Sequence, residues 1–299
     1  MSMGCTFING EFVSIDDSKI SIFDTGFLHS DVVYDVTTAW KGYIFKLDEH
    51  LERFAASCAG FHLKNPYTDD ETKQLLAETT RRAECEDGAF IHMHVTRGLY
   101  AEGSRDPRLC ENQFACYVVP YVWLWGKEKS EAGINIHVSD IERISSKAVN
   151  PRFKNFHWGD LIQAQFQAYE ANRDDAALAG PDGNLAEGPG FNIWVIKDGV
   201  CATPEENILL GMTRKSVIEV CGMENIPLQS RAVSIDELRN ADEAFATSSA
   251  GGVMPITAVD DKPLGNGAPG IVTSQIFDGY WRRREEGWCG TKITELLDS

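Results

Sequence analysis

Residues 154–158, KNFHW, and residues 187–192, EGPGFN, are the two most informative stretches of this chain. Taken alone, neither stretch is unusual, because most lysines are solvated surface groups and a Glu-Gly-Pro-Gly run is most often a turn between strands. Taken together, they place one amine, on Lys154, and one carboxylate, on Glu187, in the second half of the chain.

These two groups match the chemical needs of a pyridoxal cofactor. A lysine that has lost its proton can form a Schiff base with the cofactor aldehyde, and burial or nearby positive charge favours that loss. A carboxylate facing the pyridine nitrogen keeps that nitrogen protonated, so the ring can accept the electrons released when a proton leaves the substrate's α-carbon. We therefore predict that Lys154 holds the aldehyde and that Glu187 protonates the ring.

Length and charge limit the classes of partner. The 299 residues are enough for two domains or for one large one. The formal net charge of -17 disfavours nucleic acid and membranes as partners, because both need clustered lysine and arginine. Residues 1–10 show no leader pattern, and the longest apolar run, residues 114–125, is short and contains Pro120. We therefore expect a cytoplasmic protein.

The eight cysteines form no Cys-x-x-Cys pair. This spacing argues against a disulfide framework and against structural zinc, so we predict reduced thiols that mostly fill the core.

The first half of the chain is predicted to be α+β. Asn9-Gly10 and Lys41-Gly42 are typical of tight hairpin turns. Apolar residues then recur at helical spacing from Leu51, and Asp48 is the predicted cap of that helix. The remaining predicted elements are a helix at 70–83 and strands at 88–95 and 114–119.

A polar stretch at residues 126–131 predicts a linker. We place the N-terminal domain at residues 1–125, the linker at 126–133 and the C-terminal domain at 134–299. A capping box begins at Ser234 and announces a short helix. The other elements predicted for the second half are strands at 134–138, 191–203, 228–233, 244–247 and 253–259, and helices at 158–172 and 272–284.

With these positions in view, the chain resembles the fold-type IV pyridoxal phosphate enzymes over nearly its whole length. That group includes branched-chain aminotransferases, D-amino-acid transaminases, aminodeoxychorismate lyases and (R)-selective amine transaminases. The resemblance implies an α/β (α+β) fold, with a smaller N-terminal α/β domain and a larger C-terminal pseudo-barrel domain that binds pyridoxal 5'-phosphate (PLP). Its landmarks are LERF at 51–54, TRG at 96–98, KN at 154–155, EGPGFN at 187–192, GMTR at 211–214 and TSSAGG at 247–252.

The resemblance also implies roles for single residues. A lysine matching Lys154 forms the Schiff base with PLP and then moves the proton between the substrate carbon and the cofactor. A glutamate matching Glu187 pairs with the pyridine nitrogen, and an arginine matching Arg53 holds the phosphate. The residue pattern alone predicts a solvated Arg53, because it lies opposite the apolar stripe of its helix.

Further cofactor contacts are expected around the phosphate and the ring. Residues 211–214 combine a glycine turn with a helix start, whose free N–H groups and positive dipole end suit a phosphate. Ser249 stands where the family usually has threonine, and it keeps the hydroxyl. The remaining cofactor-binding residues implied by the matching are Trp158, Leu210, Met212, Thr213, Ser248 and Ser249.

Within the family, HSDVVYDV at 29–36 and KNFHWGDL at 154–161 favour the (R)-selective amine transaminases. By that match Tyr34 and His29 line the substrate pocket, and Val33 and Phe90 form its apolar walls. Without the family, a buried tyrosine and a satisfied histidine explain the first two equally well.

The loop at residues 98–108 contains two glycines and a proline and is predicted to be mobile. In the resembling enzymes a loop arginine pairs with the carboxylate of a keto or amino acid and swings out for an apolar amine. A bidentate guanidinium suits that switch. Arg105 is the predicted residue and Arg108 is its rival.

Dual substrate recognition follows from this switch. One pocket would take pyruvate or D-alanine in one half-reaction and a primary amine in the other, with ping-pong kinetics. The family also implies a homodimer with active sites near the interface.

Four alternatives stay open. A branched-chain or D-amino-acid transaminase would need a carboxylate on both substrates, and an aminodeoxychorismate lyase is a third member of the same family. From other classes, His92-Met93-His94 puts two imidazoles on one strand face as in a metal site, although two ligands are too few for zinc. A binding protein without catalysis would lack the absorption band of bound PLP.

Overall fold

The structure is a computed structural model, and it describes residues 3–298. Its strands, numbered in chain order, are β1 Cys5–Ile8, β2 Glu11–Ser14, β3 Val32–Trp40, β4 Tyr43–Phe45, β5 Gly88–Thr96, β6 Gln113–Pro120, β7 Ile134–Val138, β8 Asp175–Ala177, β9 Glu187–Gly188, β10 Phe191–Lys197, β11 Val200–Thr203, β12 Leu228–Ser230, β13 Glu243–Ser248, β14 Gly252–Val259, β15 Lys262–Pro263 and β16 Gly290–Lys292. Its α-helices are α1 Thr25–His29, α2 Leu47–Gly60, α3 Asp69–Arg82, α4 Lys127–Ala132, α5 Gly159–Glu170, α6 Met212–Met223, α7 Ile235–Arg239, α8 Ile271–Glu285 and α9 Ile293–Leu297.

Both predicted hairpins are confirmed. Asn9 and Gly10 have φ values of 55° and 80°, and Lys41 and Gly42 have φ values of 50° and 82°. Two successive positive φ angles match the right-handed twist of the flanking strands. The turns therefore fix the pairing of β1 with β2 and of β3 with β4.

The described residues form two compact units. The first unit contains a seven-stranded antiparallel sheet in the order β16-β4-β3-β5-β6-β1-β2. Helices α2 and α3 contribute Leu51, Phe54 and Leu76 to its core, where they pack with strand residues such as Val33 and Met93. Because side chains alternate along a strand, the residues that neighbour Val33 and Met93 lie on the opposite face of the sheet.

The second unit contains a nine-stranded mixed sheet with the main order β12-β11-β10-β13-β14-β7-β8, while β15 pairs with β14 and β9 pairs with β10. Its main core lies along β7, β10, β13 and β14, and a smaller cluster joins α5 to β8. The fold is therefore mixed α/β, as predicted, and it contains two sheets.

The two units differ from the predicted domains at several segments. Residues Phe153–Phe156 and the segment from Arg284 group with the first unit, although both lie in the predicted C-terminal domain. The predicted linker at residues 126–133 forms α4 within the second unit, and Ser130 on that helix is fully buried.

Helix starts give one correction and one confirmation. Asp48 does not cap α2, because Lys46 occupies the cap position with a left-handed φ of 46° and Asp48 lies in the first turn. The capping box is confirmed at α7, where Ser234 and Glu237 bond reciprocally. No helix within the described residues is long and apolar enough to span a membrane.

Candidate active site

Lys154 lies in the first unit, in a short segment that runs beside β3. Its carbonyl accepts a hydrogen bond from the Tyr34 N–H at 3.0 Å, and its N–H donates to the Ser57 hydroxyl at 3.0 Å. The backbone is thus held on two sides. The Lys154 Nζ lies 3.2 Å from the Tyr34 hydroxyl and 4.2 Å from the centroid of that ring. It forms no ion pair with any residue between 3 and 298.

Aromatic rings pack on Tyr34, whose own ring contacts this amine. The ring of Phe156 packs on Tyr34 at 4.7 Å, and the imidazole of His92 stacks on Tyr34 at 5.0 Å. Tyr117 continues the stack beyond His92, and the half-buried Phe90 lies 6.5 Å from Tyr117. The face that carries Tyr34 is therefore aromatic.

Two of the predicted pocket residues lie elsewhere in the first unit. Val33 is fully buried in the core, on the face of β3 opposite Tyr34, because neighbouring side chains of a strand point to opposite faces. The position does not suit the predicted role as a pocket wall. His29 is exposed at the end of α1, and its ring lies 6.4 Å from that of Tyr100.

Arg53 is held by a buried acid. Its Nε and one terminal nitrogen bind the two carboxylate oxygens of Asp35 at 2.8 and 2.7 Å, and the Nδ1 of His50 lies 2.7 Å from the same carboxylate. Burial alone would raise the pKa of Asp35, but the charge of Arg53 and the contact with His50 outweigh it and hold that pKa well below its usual range. The expectation of a solvated Arg53 is therefore wrong.

The two loop arginines differ in their contacts. Arg108 is exposed and forms a fork with Asp106, with N–O distances of 2.6 to 3.1 Å. Arg105 is also exposed, but its guanidinium has no hydrogen bond or ion pair within the part of the chain that the structure describes. Only Arg105 is thus available to an incoming carboxylate without first leaving a partner.

Glu187 lies in the second unit and is almost fully buried. Its carboxylate accepts hydrogen bonds from Arg143 Nε at 3.1 Å and from the Leu209 N–H at 3.0 Å. Arg143 also donates to Asp160 at the start of α5. Burial disfavours the charge of Arg143, but the carboxylates of Glu187 and Asp160 outweigh it and raise its pKa above the usual value. A carboxylate has about four acceptor positions, so Glu187 can accept from several donors at once.

The EGPGFN motif forms a hairpin that also holds the next loop. Pro189 and Gly190 make the turn, and Asn192 pairs with Glu187 across it. The Asn192 amide donates to the Leu209 carbonyl at 2.8 Å, so both ends of the motif bind the loop before α6. Trp158, directly before α5, packs on the turn: a methyl group at Gly190 would lie 3.1 Å from the indole.

The start of α6 has the features of a phosphate site. Gly211 precedes the helix, no side chain caps it, and the first N–H groups of a helix lack intrahelical partners. The Thr213 hydroxyl belongs to a side chain only 3% exposed, yet it has no hydrogen-bond partner among residues 3–298. A methyl group at Gly211 would lie 2.3 Å from Asn192 Oδ1, so only glycine lets the chain approach so closely.

The other predicted cofactor residues of the second unit lie at the start of α6 or at the end of β13. Met212 is the buried first residue of α6, and Leu210 before it is exposed. Ser248 ends β13, and its hydroxyl accepts from the Ala250 N–H at 3.2 Å, with Ser249 between them.

Residues 32–259 match the model of the family described as amino-transferase class IV, which is more than half of the chain. The chain belongs to this family. The class IV aminotransferase is 32% identical to a putative branched-chain-amino-acid aminotransferase of Methanocaldococcus jannaschii, over 92% of this chain and 94% of the relative. It is 30% identical to a D-alanine aminotransferase of Bacillus licheniformis, over 90% of this chain and 93% of the relative.

This aminotransferase is also similar in fold to a solved aminotransferase structure. The T.th. branched-chain amino acid aminotransferase, solved with pyridoxamine 5'-phosphate, has a TM-score of 0.90 and 25% identity, covering 98% of this chain and 99% of that one. Fold-type IV aminotransferases use PLP. The residues present fit that group, because the unpartnered Thr213 hydroxyl suits its phosphate and the buried Glu187 carboxylate suits its ring nitrogen.

Four residues that fix the positions of Arg53 and Glu187 in this aminotransferase were not identified from the sequence. They are Asp35 and His50, which bind Arg53, and Arg143 and Asp160, which anchor Glu187. Asp35 carries a signal of its own, since an acid within the apolar strand VVYDV requires a partner. Arg143 carries none, because it lies in a stretch without regular structure.

Proposed function

We propose that this class IV aminotransferase is an (R)-selective amine transaminase. It would transfer an amino group between a primary amine and pyruvate or D-alanine, with PLP bound to Lys154 and ping-pong kinetics. The observation that carries the proposal is the contrast between the aromatic face at Lys154, where the lysine forms no ion pair with residues 3–298, and the loop residue Arg105, whose guanidinium has no partner among those residues.

In this proposal the chain binds PLP at two points, first at the ring with its aldehyde and second at the phosphate. Lys154 would bind the aldehyde carbon, and the anchored Glu187 carboxylate would accept a hydrogen bond from the protonated ring nitrogen. When bound, PLP supplies a conjugated ring that accepts the electron pair left when a C–H bond ionises. Once the substrate amine has displaced it from the aldehyde carbon, Lys154 Nζ would take the proton released from that C–H bond and deliver it to the former aldehyde carbon. Tyr34, 3.2 Å from Nζ, would orient the amine between these two tasks.

The phosphate is the second point of attachment. The N–H groups of Met212 and Thr213 and the Thr213 hydroxyl would bind it, because the helix dipole and unpaired donors favour an anion there. Arg53, Ser248 and Ser249 are proposed as further phosphate ligands. Leu210 and Trp158 are proposed to contact the ring.

Substrate choice would depend on the loop. An aromatic face accepts an apolar amine without desolvating a charged partner. A keto acid needs a cation for its carboxylate, and the unpaired guanidinium of Arg105 would supply it. Tyr34, Phe90 and His29 are proposed to contact the organic part of the substrate.

The first experiment follows the visible absorption of the holoenzyme with (R)-1-phenylethylamine and then pyruvate. We expect the band of bound PLP to bleach with the amine and return with pyruvate, and we expect no such cycle in Lys154→Ala. Lys147→Ala, which removes an exposed lysine shortly before the site, is the matched control and should behave as wild type. Equal bleaching by the (S)-amine would refute the stereopreference, and the absence of any band would overturn the cofactor assignment.

The second experiment compares the two loop arginines. Charged hydrogen bonds contribute about 1.5–3 kcal/mol, so Arg105→Ala should raise the KM for pyruvate about 10- to 100-fold and leave the amine half-reaction unchanged. Arg108→Ala should leave both unchanged, because that guanidinium is bound to Asp106. The reverse pattern would assign the carboxylate to Arg108.

A branched-chain or D-amino-acid transaminase is the second candidate, and the names of the relatives favour it. It would need a carboxylate on both substrates. A holoenzyme that responds to branched-chain amino acids or D-alanine, but not to the amine, would replace the first candidate with the second.

We also propose a homodimer, with active sites near the interface. The segment from Ile20 to Leu28 in the first unit exposes several large apolar side chains, with Phe23 at 70% and Phe27 at 66% exposed. Contiguous exposed apolar residues mark association sites. Sedimentation should give a dimer for the wild type and a monomer for Phe23→Asp; a monomeric wild type would refute the proposal.

The cytoplasmic location stays a prediction from the sequence.

A further inference from the structure

The motif HMH at residues 92–94 has no part in the proposed function. Met93 lies in the core of the first unit, whereas His92 and His94 share the opposite face of β5. The Nδ1 atoms of both imidazoles are buried and have no hydrogen-bond partner among the described residues. A metal does not explain the pair, because no group of three or more metal-ligating side chains occurs within residues 3–298.

His92 is the middle ring of a stack that crosses three strands. Its imidazole lies 5.0 Å from the Tyr34 ring with an interplanar angle of 14°, and 4.7 Å from the Tyr117 ring with an angle of 12°. The register explains this arrangement, because His92 is directly opposite Tyr117, while Tyr34 is opposite His94 and so diagonal to His92. Near-parallel rings at such distances attract each other.

Tyr34, at one end of the stack, is the ring that contacts the lysine. Its hydroxyl lies 3.2 Å from Lys154 Nζ, and Nζ lies 4.2 Å from its centroid. A rotated Tyr34 ring would therefore lose the hydroxyl contact and uncover the amine. We propose that His92 is a positioning residue that, stacked between Tyr34 and Tyr117, holds the Tyr34 hydroxyl against the Lys154 amine. The consequence for catalysis rests on the proposed function, in which Lys154 moves the proton.

The ring at the centre of the stack is uncharged. Burial, the neighbouring His94 and the charge of Lys154 together lower the pKa of His92 well below its usual value, and Asp35 opposes them only in part. Burial also lowers the pKa of His94 to about 4. Both flanking rings are tyrosines, and burial raises the pKa of Tyr117. A neutral planar ring should therefore be able to replace the imidazole, whereas a small side chain should not.

The test compares His92→Phe with His92→Ala in two measurements. In the holoenzyme, His92→Ala should lower kcat for amino transfer about tenfold with little change in the KM for the amine, because a misplaced proton-transfer group slows chemistry rather than binding. In the apoprotein, trace acylation followed by peptide mass spectrometry should show faster modification of Lys154. His92→Phe should restore both quantities to nearly wild-type values, and near-UV circular dichroism should confirm that each variant folds.

Either of two results would overturn the proposal. If His92→Phe is as impaired as His92→Ala, the imidazole acts through its polar atoms and not through stacking. If His92→Ala changes neither measurement, the stack does not position the lysine.

A double variant adds a third outcome. Tyr34→Phe with His92→Ala should be no slower than Tyr34→Phe alone, because the hydroxyl that His92 holds is already absent, and an additive loss would contradict the idea. Failure of the proposed function would look different, since the acylation of Lys154 would still depend on His92 while no amine is consumed.

Discussion

Replacement of Asp35 by asparagine tests the buried cluster that holds Arg53. The Asp35 side chain is fully buried, and it accepts two hydrogen bonds from Arg53, one from His50 Nδ1 and one from the Val36 N–H. Because an ionised carboxylate only accepts hydrogen bonds, the Nδ1 of His50 carries the proton in this contact. The charge of Asp35 thus neutralises a guanidinium that is itself only 10% exposed.

Asparagine keeps the shape of the side chain but removes that charge. Its oxygen can still receive the three donors that meet at Oδ1, while its NH2 group would face the Nε–H of Arg53, donor against donor. Breaking one side of a buried ion pair costs about 3–5 kcal/mol. We expect the free energy of unfolding to fall by that amount, which is a large part of the about 5–15 kcal/mol typical of a protein.

Urea unfolding followed by tryptophan fluorescence and circular dichroism measures this loss. Asp106→Asn is the matched control, because Asp106 forms the same kind of fork with Arg108, but with an arginine that is 86% exposed. Water can replace the fork there, so its unfolding midpoint should not change measurably. Equal losses in the two variants, or an Asp35→Asn protein as stable as the wild type, would refute the reasoning that burial decides the strength of the pair.

Two further changes test the second unit. Gly211→Ala should lower the affinity for PLP at least about tenfold, measured by equilibrium dialysis, because the added methyl group would lie 2.3 Å from Asn192 Oδ1 and displace the start of α6. Asp175→Asn should flatten the pH dependence of stability: burial raises the pKa of Asp175 from 3.8 to about 6, so the native state binds that proton more tightly than the unfolded chain. The stabilisation is complete below about pH 4 and is lost as the pH rises through about 6, so the wild type should lose up to about 3 kcal/mol relative to the variant over this range.

Each of these changes has a clear contrary result. Gly222→Ala lies in the same helix, where a methyl group would meet no atom within 4 Å, and it should bind PLP normally. Equal binding by both alanine variants would mean that the close approach at Gly211 does not shape the site. For Asp175, parallel stability curves of the wild type and the variant between about pH 4 and 8 would show that this carboxyl titrates normally in the folded protein.

Local chemistry made much of the fold predictable. The Asn9-Gly10 turn and the capping box at Ser234 were located correctly, because each depends on a few neighbouring residues. The predicted cap at Asp48 was wrong, although it rested on the same local reasoning. An acid before an apolar helix is a good cap, but here Lys46 takes the left-handed conformation and the helix begins one residue before Asp48.

Interactions between distant parts of the chain were not predictable in this way. The polar residues at 126–131 indicated a linker, yet they form helix α4, which packs against β14, and Ser130 on that helix is buried. In the candidate site, the chemistry required a lysine and an acid, and the motifs identified Lys154 and Glu187. The chemistry did not require Arg143, which anchors Glu187 across 44 positions of sequence.

The last residues of the chain complete its first sheet. Strand β16, Gly290–Lys292, pairs with β4 at the edge of the seven-stranded sheet, and α9 follows it onto α3. During synthesis the first 122 residues therefore leave the ribosome long before the strand that covers their sheet edge exists, and an uncovered edge is a template for pairing with other chains. The first unit is thus expected to reach its final form only after residues 290–292 have been synthesised, and deletion of residues 284–298 should yield a protein that aggregates as it is made.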